Sequence, residues 1–149
     1  MSNSHYSSVD FAKVPAVLSG KLPDRLLHSD VVNAAVKPDE AFSAERQHLV
    51  RTVDLPSRVL SMTIGGLEPG QSTRMHRHNY ETLIYILTGT GRSIIEDREV
   101  LWHQGDAVYV PVWAWHSHSN TSDSVPALYV ACENAPMLLN LGIALRQEV

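Results

Sequence analysis

The 149-residue sequence predicts an all-β domain, either an antiparallel sandwich or a barrel. From about Ser57 onward, short runs of β-prone residues alternate with glycine and proline turns, at a spacing typical of these folds. The length fits one domain. The single cysteine, Cys132, excludes an internal disulfide framework, so the hydrophobic core must stabilise the fold.

The chain divides into an N-terminal arm, residues 1–50, and a barrel domain, residues 51–149. The arm mixes polar residues, prolines and short apolar pieces, and we expect its short helical or strand segments to pack on the barrel. Residues 37–47 are predicted to form a helix, because Pro38 and the acids Asp39 and Glu40 suit a first helical turn.

The strands predicted in the barrel domain are short and are separated by turn residues such as Glu96-Asp97 and Gly105-Asp106. They comprise residues 58–64, 72–78, 82–87, 92–95, 107–110 and 125–132, with a further strand around His116. The tail, residues 137–149, fits either a strand or a helix.

Composition and charge exclude several functional classes. Twelve Lys and Arg against sixteen Asp and Glu give a net charge of −4, which is unsuited to nucleic-acid binding through bulk charge. The first ten residues have neither the basic nor the apolar region of a signal peptide, and no stretch approaches the ~20 apolar residues of a membrane span. We therefore expect a cytoplasmic protein without membrane or nucleic-acid partners.

Histidine is the unusual residue, and five of the eight histidines lie between residues 76 and 118. In a strand, His76 and His78 project to one face and Arg77 to the other. A His-x-His pair by itself does not identify a metal site, because such pairs also occur in proteins that bind no metal. His116, on a separate strand, supplies the third imidazole of a candidate metal site.

Two ordered motifs give the chain a resemblance to the cupin superfamily. The first runs from Gly70 through His76-Arg-His78 to Gly89, and the second from Gly105 through Pro111 and His116 to Asn120. The resemblance spans about residues 60–132. It implies a double-stranded β-helix, the cupin jelly-roll barrel, with His76, His78 and His116 as metal ligands near its mouth.

Two positions depart from the usual cupin pattern. The glutamate ligand is expected seven residues before Gly89, where this chain has Thr82. Glu81 is displaced by one residue and should face the other way unless a bulge intervenes, so we favour three histidines and keep Glu81 as an alternative ligand. Trp113 stands where the second motif often has glycine.

The phrase Pro111-x-Trp-x-Trp-His-x-His, with His-Arg-His upstream and no glutamate, resembles the gentisate and salicylate 1,2-dioxygenase branch of cupins. Those enzymes contain two cupin units, whereas this chain has one. Three neutral imidazoles leave a divalent metal with its full 2+ charge, which favours an anionic, bidentate oxygen ligand.

These features predict a mononuclear non-haem Fe(II) dioxygenase, an oxidoreductase that uses O₂ to cleave a C–C bond. The expected substrate is a small anionic molecule, either aromatic and hydroxybenzoate-like or enolisable. The alternative is a metal-binding cupin without oxygenase activity. Such a protein would be a small-molecule sensor, or an isomerase-like or decarboxylase-like enzyme using Mn, Ni or Zn.

Secondary candidates surround the three histidines. His118 shares the strand face of His116 and is a candidate acid/base catalyst, fourth ligand or ordinary polar residue. Arg74 is a candidate anchor for a substrate carboxylate, with a rim ion pair as the alternative. Trp113 and Trp115 are expected either to wall the substrate pocket or to pack outside it.

The remaining histidines, His5, His28, His48 and His103, are expected at the surface. The resemblance to single-unit cupins also implies a homodimer.

Overall fold

The computed structural model describes Gly20 and residues 22–33 and 40–149. Its helices are α1 (Glu40–Arg46) and α2 (Ala135–Asn140). Its strands are β1 (Leu49–Thr52), β2 (Ser61–Leu67), β3 (His76–His78), β4 (Thr82–Thr88), β5 (Thr90–Ile95), β6 (Arg98–His103), β7 (Ala107–Val110), β8 (His116–Asn120), β9 (Ala127–Glu133) and β10 (Arg146–Glu148).

The strands form two five-stranded antiparallel sheets, which confirms the all-β prediction. One sheet, here called the histidine sheet, has the order β10-β3-β8-β5-β6, and the other, the facing sheet, has the order β1-β2-β9-β4-β7. Neighbours such as β2, β9 and β4 are distant in sequence, as in a jelly-roll barrel. This topology places strands from both ends of the chain around one interior.

Alternating burial shows which side chains enter that interior. In β4, Thr82, Ile84 and Ile86 are buried, whereas Leu83 and Tyr85 are half exposed. Period-two alternation is the pattern of a strand with one face on a core. The main apolar cluster comprises Leu67, Ile84, Ile86, Trp102, Val108, Val110, Ala127, Tyr129 and Ala131.

The predicted strands are present with shifted limits. The strand at 107–110 is found as predicted, the one predicted at 58–64 lies at residues 61–67, and the one predicted at 72–78 contracts to residues 76–78. Strands β1 and β6 were missed. The tail, predicted as either a strand or a helix, contains one of each, because α2 is followed by β10, which pairs with β3.

Much of the predicted arm lies outside the described residues. Within it, α1 falls inside the helix predicted at 37–47. Strand β1 crosses the expected boundary at residue 50 and pairs with β2 along its whole length. In the described ranges, neither helix is long and apolar enough to cross a lipid bilayer.

Candidate metal centre

Three histidines meet on the inner face of the histidine sheet. His76 and His78 alternate along β3, and His116 on β8 lies directly opposite His76 in the strand register. Their ligand atoms lie within 4.8 Å of one another. All three residues are less than a tenth exposed, so the cluster is enclosed by the barrel.

Backbone hydrogen bonds orient all three imidazoles in the same way. The Nδ1 atoms of His76, His78 and His116 lie 2.7, 2.8 and 2.9 Å from the carbonyl oxygens of Arg74, Tyr80 and Ala114. A carbonyl oxygen can only accept, so each Nδ1–H donates. The unprotonated Nε2 of each neutral ring is then free to bind a metal, and the donor set fits a divalent transition metal.

Burial also keeps these rings uncharged. It lowers the pKa of His76, and it lowers the pKa of His78 to about 4 and of His116 to about 2, with neighbouring histidines adding to the last two shifts. The neutral imidazole is the form that a metal requires. The cluster is therefore ready to bind a metal at neutral pH without first losing protons.

Thr82, which stands where the cupin pattern has its glutamate ligand, faces the same interior as the histidines. Thr82 is buried, and its hydroxyl donates to Oε1 of Glu133 at 3.2 Å. Glu81 is exposed on the opposite face of the strand and accepts a hydrogen bond of 2.8 Å from the Tyr109 hydroxyl. The alternation between residues 81 and 82 therefore holds without a bulge, and Glu81 points away from the histidines.

His118 lies on the same inner face but has a different hydrogen-bond environment. Its Nδ1 is 2.7 Å from the Ser93 hydroxyl oxygen. The same oxygen accepts a hydrogen bond of 3.0 Å from the Trp102 indole N–H. Trp102 can only donate, so the fully satisfied arrangement has the Ser93 hydroxyl proton donated to Nδ1 of His118. This puts the His118 proton on Nε2, the opposite tautomer to the three clustered histidines.

A group of arginines surrounds Glu148 at the mouth of the site. Arg146 donates to the Glu148 carboxylate from Nε at 3.0 Å and from a second nitrogen. Arg74 and Arg46 approach the same carboxylate at 3.5 and 3.8 Å. Arg74 is thus placed at the mouth and half exposed, in the rim ion pair that was its alternative interpretation.

The space between the two sheets is a cavity of about 550 Å³, which falls in the usual range for small-molecule sites. Its lining includes the four buried histidines of the histidine sheet, together with Arg74 and residues that the sequence analysis did not select. These additional residues are Arg46, His48, Tyr80, Tyr129, Glu133, Arg146 and Glu148.

His48 corrects one expectation, because it lines the cavity instead of the surface. Its Nδ1 donates to the Arg46 carbonyl at 2.9 Å, which leaves Nε2 to accept from the Tyr129 hydroxyl at 3.1 Å. The Tyr129 ring lies so close to Gly65 that a Cβ atom at residue 65 would come within 2.1 Å of the ring, so a larger residue there would displace Tyr129. His103 is exposed as expected, His28 is intermediate and His5 is outside the described residues.

The two tryptophans before His116 lie on the outer side of the site. The Arg77 guanidinium carbon is 4.5 Å from the ring centroid of each, Trp113 and Trp115. Arg77 faces away from the cluster, as the strand alternation predicts. Neither tryptophan is among the residues that line the cavity.

Comparison with known proteins agrees with this geometry. The Cupin domain family model (Cupin_2) matches residues 64–132. A 5-aminosalicylate 1,2-dioxygenase from Comamonas sp is 36% identical over 77 residues, which are 52% of this chain and 20% of the relative. A gentisate 1,2-dioxygenase from Aquipseudomonas alcaligenes is 35% identical over 86 residues, 55% of this chain and 24% of the relative.

Solved structures show the same fold at lower identity. A salicylate 1,2-dioxygenase from Pseudaminobacter salicylatoxidans superposes with a TM-score of 0.63 at 18% identity, over 67% of this chain and 31% of that one. A cupin-2 domain protein from Rhodospirillum rubrum has a TM-score of 0.55 at 20% identity, over 60% and 61% of the two chains. The chain spans only about a fifth to a quarter of the two curated relatives above. Residues 64–132 thus match the Cupin domain family, and over this segment the chain is similar to named dioxygenases.

Proposed function

We propose that the protein is a mononuclear non-haem Fe(II) dioxygenase that cleaves a C–C bond in a small aromatic acid of the hydroxybenzoate type. The observation that carries this proposal is the set of three neutral imidazoles, His76, His78 and His116, with Thr82 in place of a fourth, anionic ligand. Similarity to relatives named 5-aminosalicylate 1,2-dioxygenase and gentisate 1,2-dioxygenase supports the proposal.

The three Nε2 atoms would hold the metal. An Fe(II) ion in this site supplies a full 2+ charge for a chelating anionic substrate and the redox chemistry that O₂ requires. Because no carboxylate among the described residues joins the three histidines in the cluster, no anionic ligand from these residues would reduce the charge of the metal. This favours a carboxylate with a neighbouring hydroxyl over a neutral substrate.

The remaining residues of the cavity would bind and orient the substrate. His118, which lines the cavity, would present its Nε2–H as a hydrogen-bond donor to a developing negative charge on a substrate oxygen. Arg74 at the mouth adds positive charge that attracts an anionic substrate. The apolar walls, including Ile84 and Ala131, exclude water from the reacting groups.

The test is anaerobic reconstitution with Fe(II), followed by measurement of O₂ uptake with a panel of hydroxybenzoates and β-dicarbonyl compounds. We expect O₂ uptake with at least one hydroxybenzoate and a ring-opened product by mass spectrometry. Tight binding of a panel member without any O₂ uptake would contradict the dioxygenase proposal.

His76→Ala is expected to abolish stoichiometric metal binding, because it removes one of three ligands. His103→Ala is the matched control, since this histidine is exposed and its side chain contacts Asp106 of its own turn. Metal content measured by elemental analysis should fall in the first variant and not in the second. A His76→Ala protein with full metal content would refute the site assignment.

A second candidate is a metal-binding cupin that senses or transforms a small molecule without O₂. The donor set favours it as well, because three imidazole nitrogens also suit Mn, Ni or Zn. Under this alternative, the reconstituted protein binds a ligand from the panel and consumes no O₂ with any of several metals.

We also propose that the protein forms a homodimer. Exposed apolar side chains support this, among them Leu22, Leu26 and Leu27 in the arm and Leu139, Leu141 and Ile143 in the tail. Light scattering on the purified full chain measures the mass directly. A mass of about 16.5 kDa at all concentrations would contradict the dimer.

A further inference from the structure

The outer side of the facing sheet is apolar, although it points away from the core. The register row that contains Ala131 and Ile84 lines the cavity, so by strand alternation the rows on either side of it face outward. One outward row crosses β2, β9, β4 and β7, and the next includes positions on β9 and β4. Six residues of these two rows are here called the apolar face: Met62, Cys132, Leu83 and Tyr109, then Val130 and Tyr85.

This surface differs from the outer side of the histidine sheet, which is mostly polar. There Arg92 pairs with Glu99 at 2.9 Å, and Arg77 is bonded to Gln147. In the four described strands that carry the apolar face, the one charged residue is Glu133, and it lines the cavity. A sheet face in contact with water normally carries polar residues, so the apolar face indicates a surface that another protein covers.

The extent of the apolar face fits the core of a protein interface. Four strands are about 19 Å wide and seven residues are about 24 Å long, which gives about 450 Å² before the relief of the side chains is counted. A standard interface buries about 800 Å² per partner, as an apolar core with a polar rim. Glu81, whose carboxylate accepts a hydrogen bond from the Tyr109 hydroxyl, supplies part of such a rim.

A second copy of the chain fits this surface. In a symmetric dimer the same patch contacts itself, so a charge near its centre would meet the same charge of the other copy. The apolar face has no such charge. Two antiparallel sheets can also pack face to face, with their strands about 30° apart and their side chains interdigitated.

We propose that two copies of the chain pack through their apolar faces, with Leu83 and Cys132 buried between the two sheets. This inference rests on the homodimer proposed above and assigns its interface. It is independent of the dioxygenase activity, because the apolar face lies on the opposite side of the facing sheet from the cavity.

Leu83→Glu tests the interface, because symmetry places the new carboxylate in both copies. Leu83 is 58% exposed in the single chain, so the substitution should leave the fold intact. We expect the dissociation constant of the dimer, measured by sedimentation equilibrium, to rise at least about a hundredfold. Tyr85→Glu on the same face should act in the same way, and thermal unfolding establishes that each variant is folded.

Leu101→Glu is the matched control. Leu101 is equally a leucine of a strand and is 67% exposed, but it lies on the outer side of the histidine sheet opposite Arg92. This variant should keep the dissociation constant of the wild type.

Cys132 supplies a second measurement, because it is the single cysteine of the chain and belongs to the apolar face. Its alkylation by iodoacetamide should be at least about tenfold slower in the wild-type dimer than in Leu83→Glu, since the interface limits access to the thiol. Leu101→Glu should leave the rate as slow as in the wild type.

The other outcomes separate the interface from the homodimer. A dimer that persists in both Leu83→Glu and Tyr85→Glu, or that Leu141→Glu in the tail dissociates instead, overturns the apolar face and leaves the homodimer standing. A wild-type protein that stays monomeric at all concentrations overturns both, and slow alkylation of Cys132 in that monomer would mean that the same chain covers the face. None of these measurements uses O₂, so the dioxygenase proposal stands or falls separately.

Discussion

At the scale of single residues, four buried histidines on one sheet differ in which nitrogen carries the proton. Backbone carbonyls fix Nδ1–H in His76, His78 and His116, and the Trp102–Ser93 pair fixes Nε2–H in His118. The first arrangement presents lone pairs and the second presents a donor. Adjacent imidazoles can therefore have separate roles without any difference in residue type.

Ser93→Ala tests how much the hydrogen bonds that join Trp102, Ser93 and His118 contribute to stability and to the His118 tautomer. The buried Trp102 N–H loses its acceptor, and we expect the free energy of unfolding to fall by about 1–3 kcal/mol. Urea denaturation measures this loss, and Ser117→Ala on the outer face of β8 is the control. In the same variant, nitrogen NMR of His118 should show the Nε2–H tautomer giving way to a mixture. A retained single tautomer would mean that Ser93 does not set it.

Strand alternation alone could predict which side chains face the metal. The alternation of residues 76–78 and the difference between Glu81 and Thr82 both follow from a period of two. Glu133 was missed because the predicted strand ended at residue 132, although Ala127, Tyr129 and Ala131 already pointed to it. No local signal identified His48, because its burial depends on pairing between β1 and β2, which are distant from the histidine motifs.

At the scale of elements, the loop before β8 carries backbone strain. Trp113 has φ 64°, in the left-handed region that favours glycine, and its N–H donates to the His78 carbonyl at 2.7 Å. This explains why related motifs often have glycine here. In this chain the contact between Trp113 and Arg77 offsets the cost.

Two substitutions at this position separate strain from packing. Trp113→Ala and Trp113→Gly both remove the ring, but only glycine relieves the strain. We therefore expect Trp113→Gly to be more stable than Trp113→Ala by about 1 kcal/mol, measured by urea denaturation. A glycine variant that is equal to or less stable than the alanine variant would contradict the strain.

Strand β10 supports the strand that bears two of the three histidines. Gln147 pairs with Arg77 between the hydrogen-bonded positions Asn79–Leu145 and Met75–Val149, so its N–H lies in the ladder. Gln147→Pro removes this donor, and we expect it to weaken Zn(II) binding at least tenfold by loosening β3. Gln147→Ala keeps the backbone bond and loses the two hydrogen bonds that the Arg77 side chain donates to Gln147 Oε1.

Competition titration with a chromogenic chelator measures both affinities. Nearly unchanged affinity in Gln147→Ala, with a loss in Gln147→Pro, is the expected result. Equal affinities in the two variants would mean that β3 holds its histidines without β10.

At the scale of the whole molecule, the metal cluster and several charged residues of the cavity come from different parts of the chain. The three histidines and His118 lie within the cupin segment at residues 64–132. Four charged residues of the cavity lining lie outside it: Arg46, Arg146, Glu148 and Glu133. Motifs could predict the first group, whereas only the three-dimensional pairing of chain ends reveals the second.

Burying four histidines uncharged links the stability of the metal-free protein to pH. The unfolded histidines take up protons near pH 6.5, but burial lowers the folded pKa to about 4 for His78, about 3 for His118 and about 2 for His116. Below pH 6.5 the unfolded state therefore binds more protons, and stability must fall as the pH decreases. Each of these histidines contributes up to about 1.4 kcal/mol per pH unit.

Urea denaturation of the metal-free protein from pH 7.5 to pH 5 should show this decline, with the steepest slope below pH 6. His118→Asn removes one titrating ring outside the three-histidine cluster, so the slope of its unfolding free energy against pH should be shallower by the equivalent of about one proton. His103→Ala removes an exposed histidine and should leave the slope unchanged. Stability that is constant or rises between pH 7 and pH 5 would mean that these histidines are charged in the folded protein, which a preformed metal site does not allow.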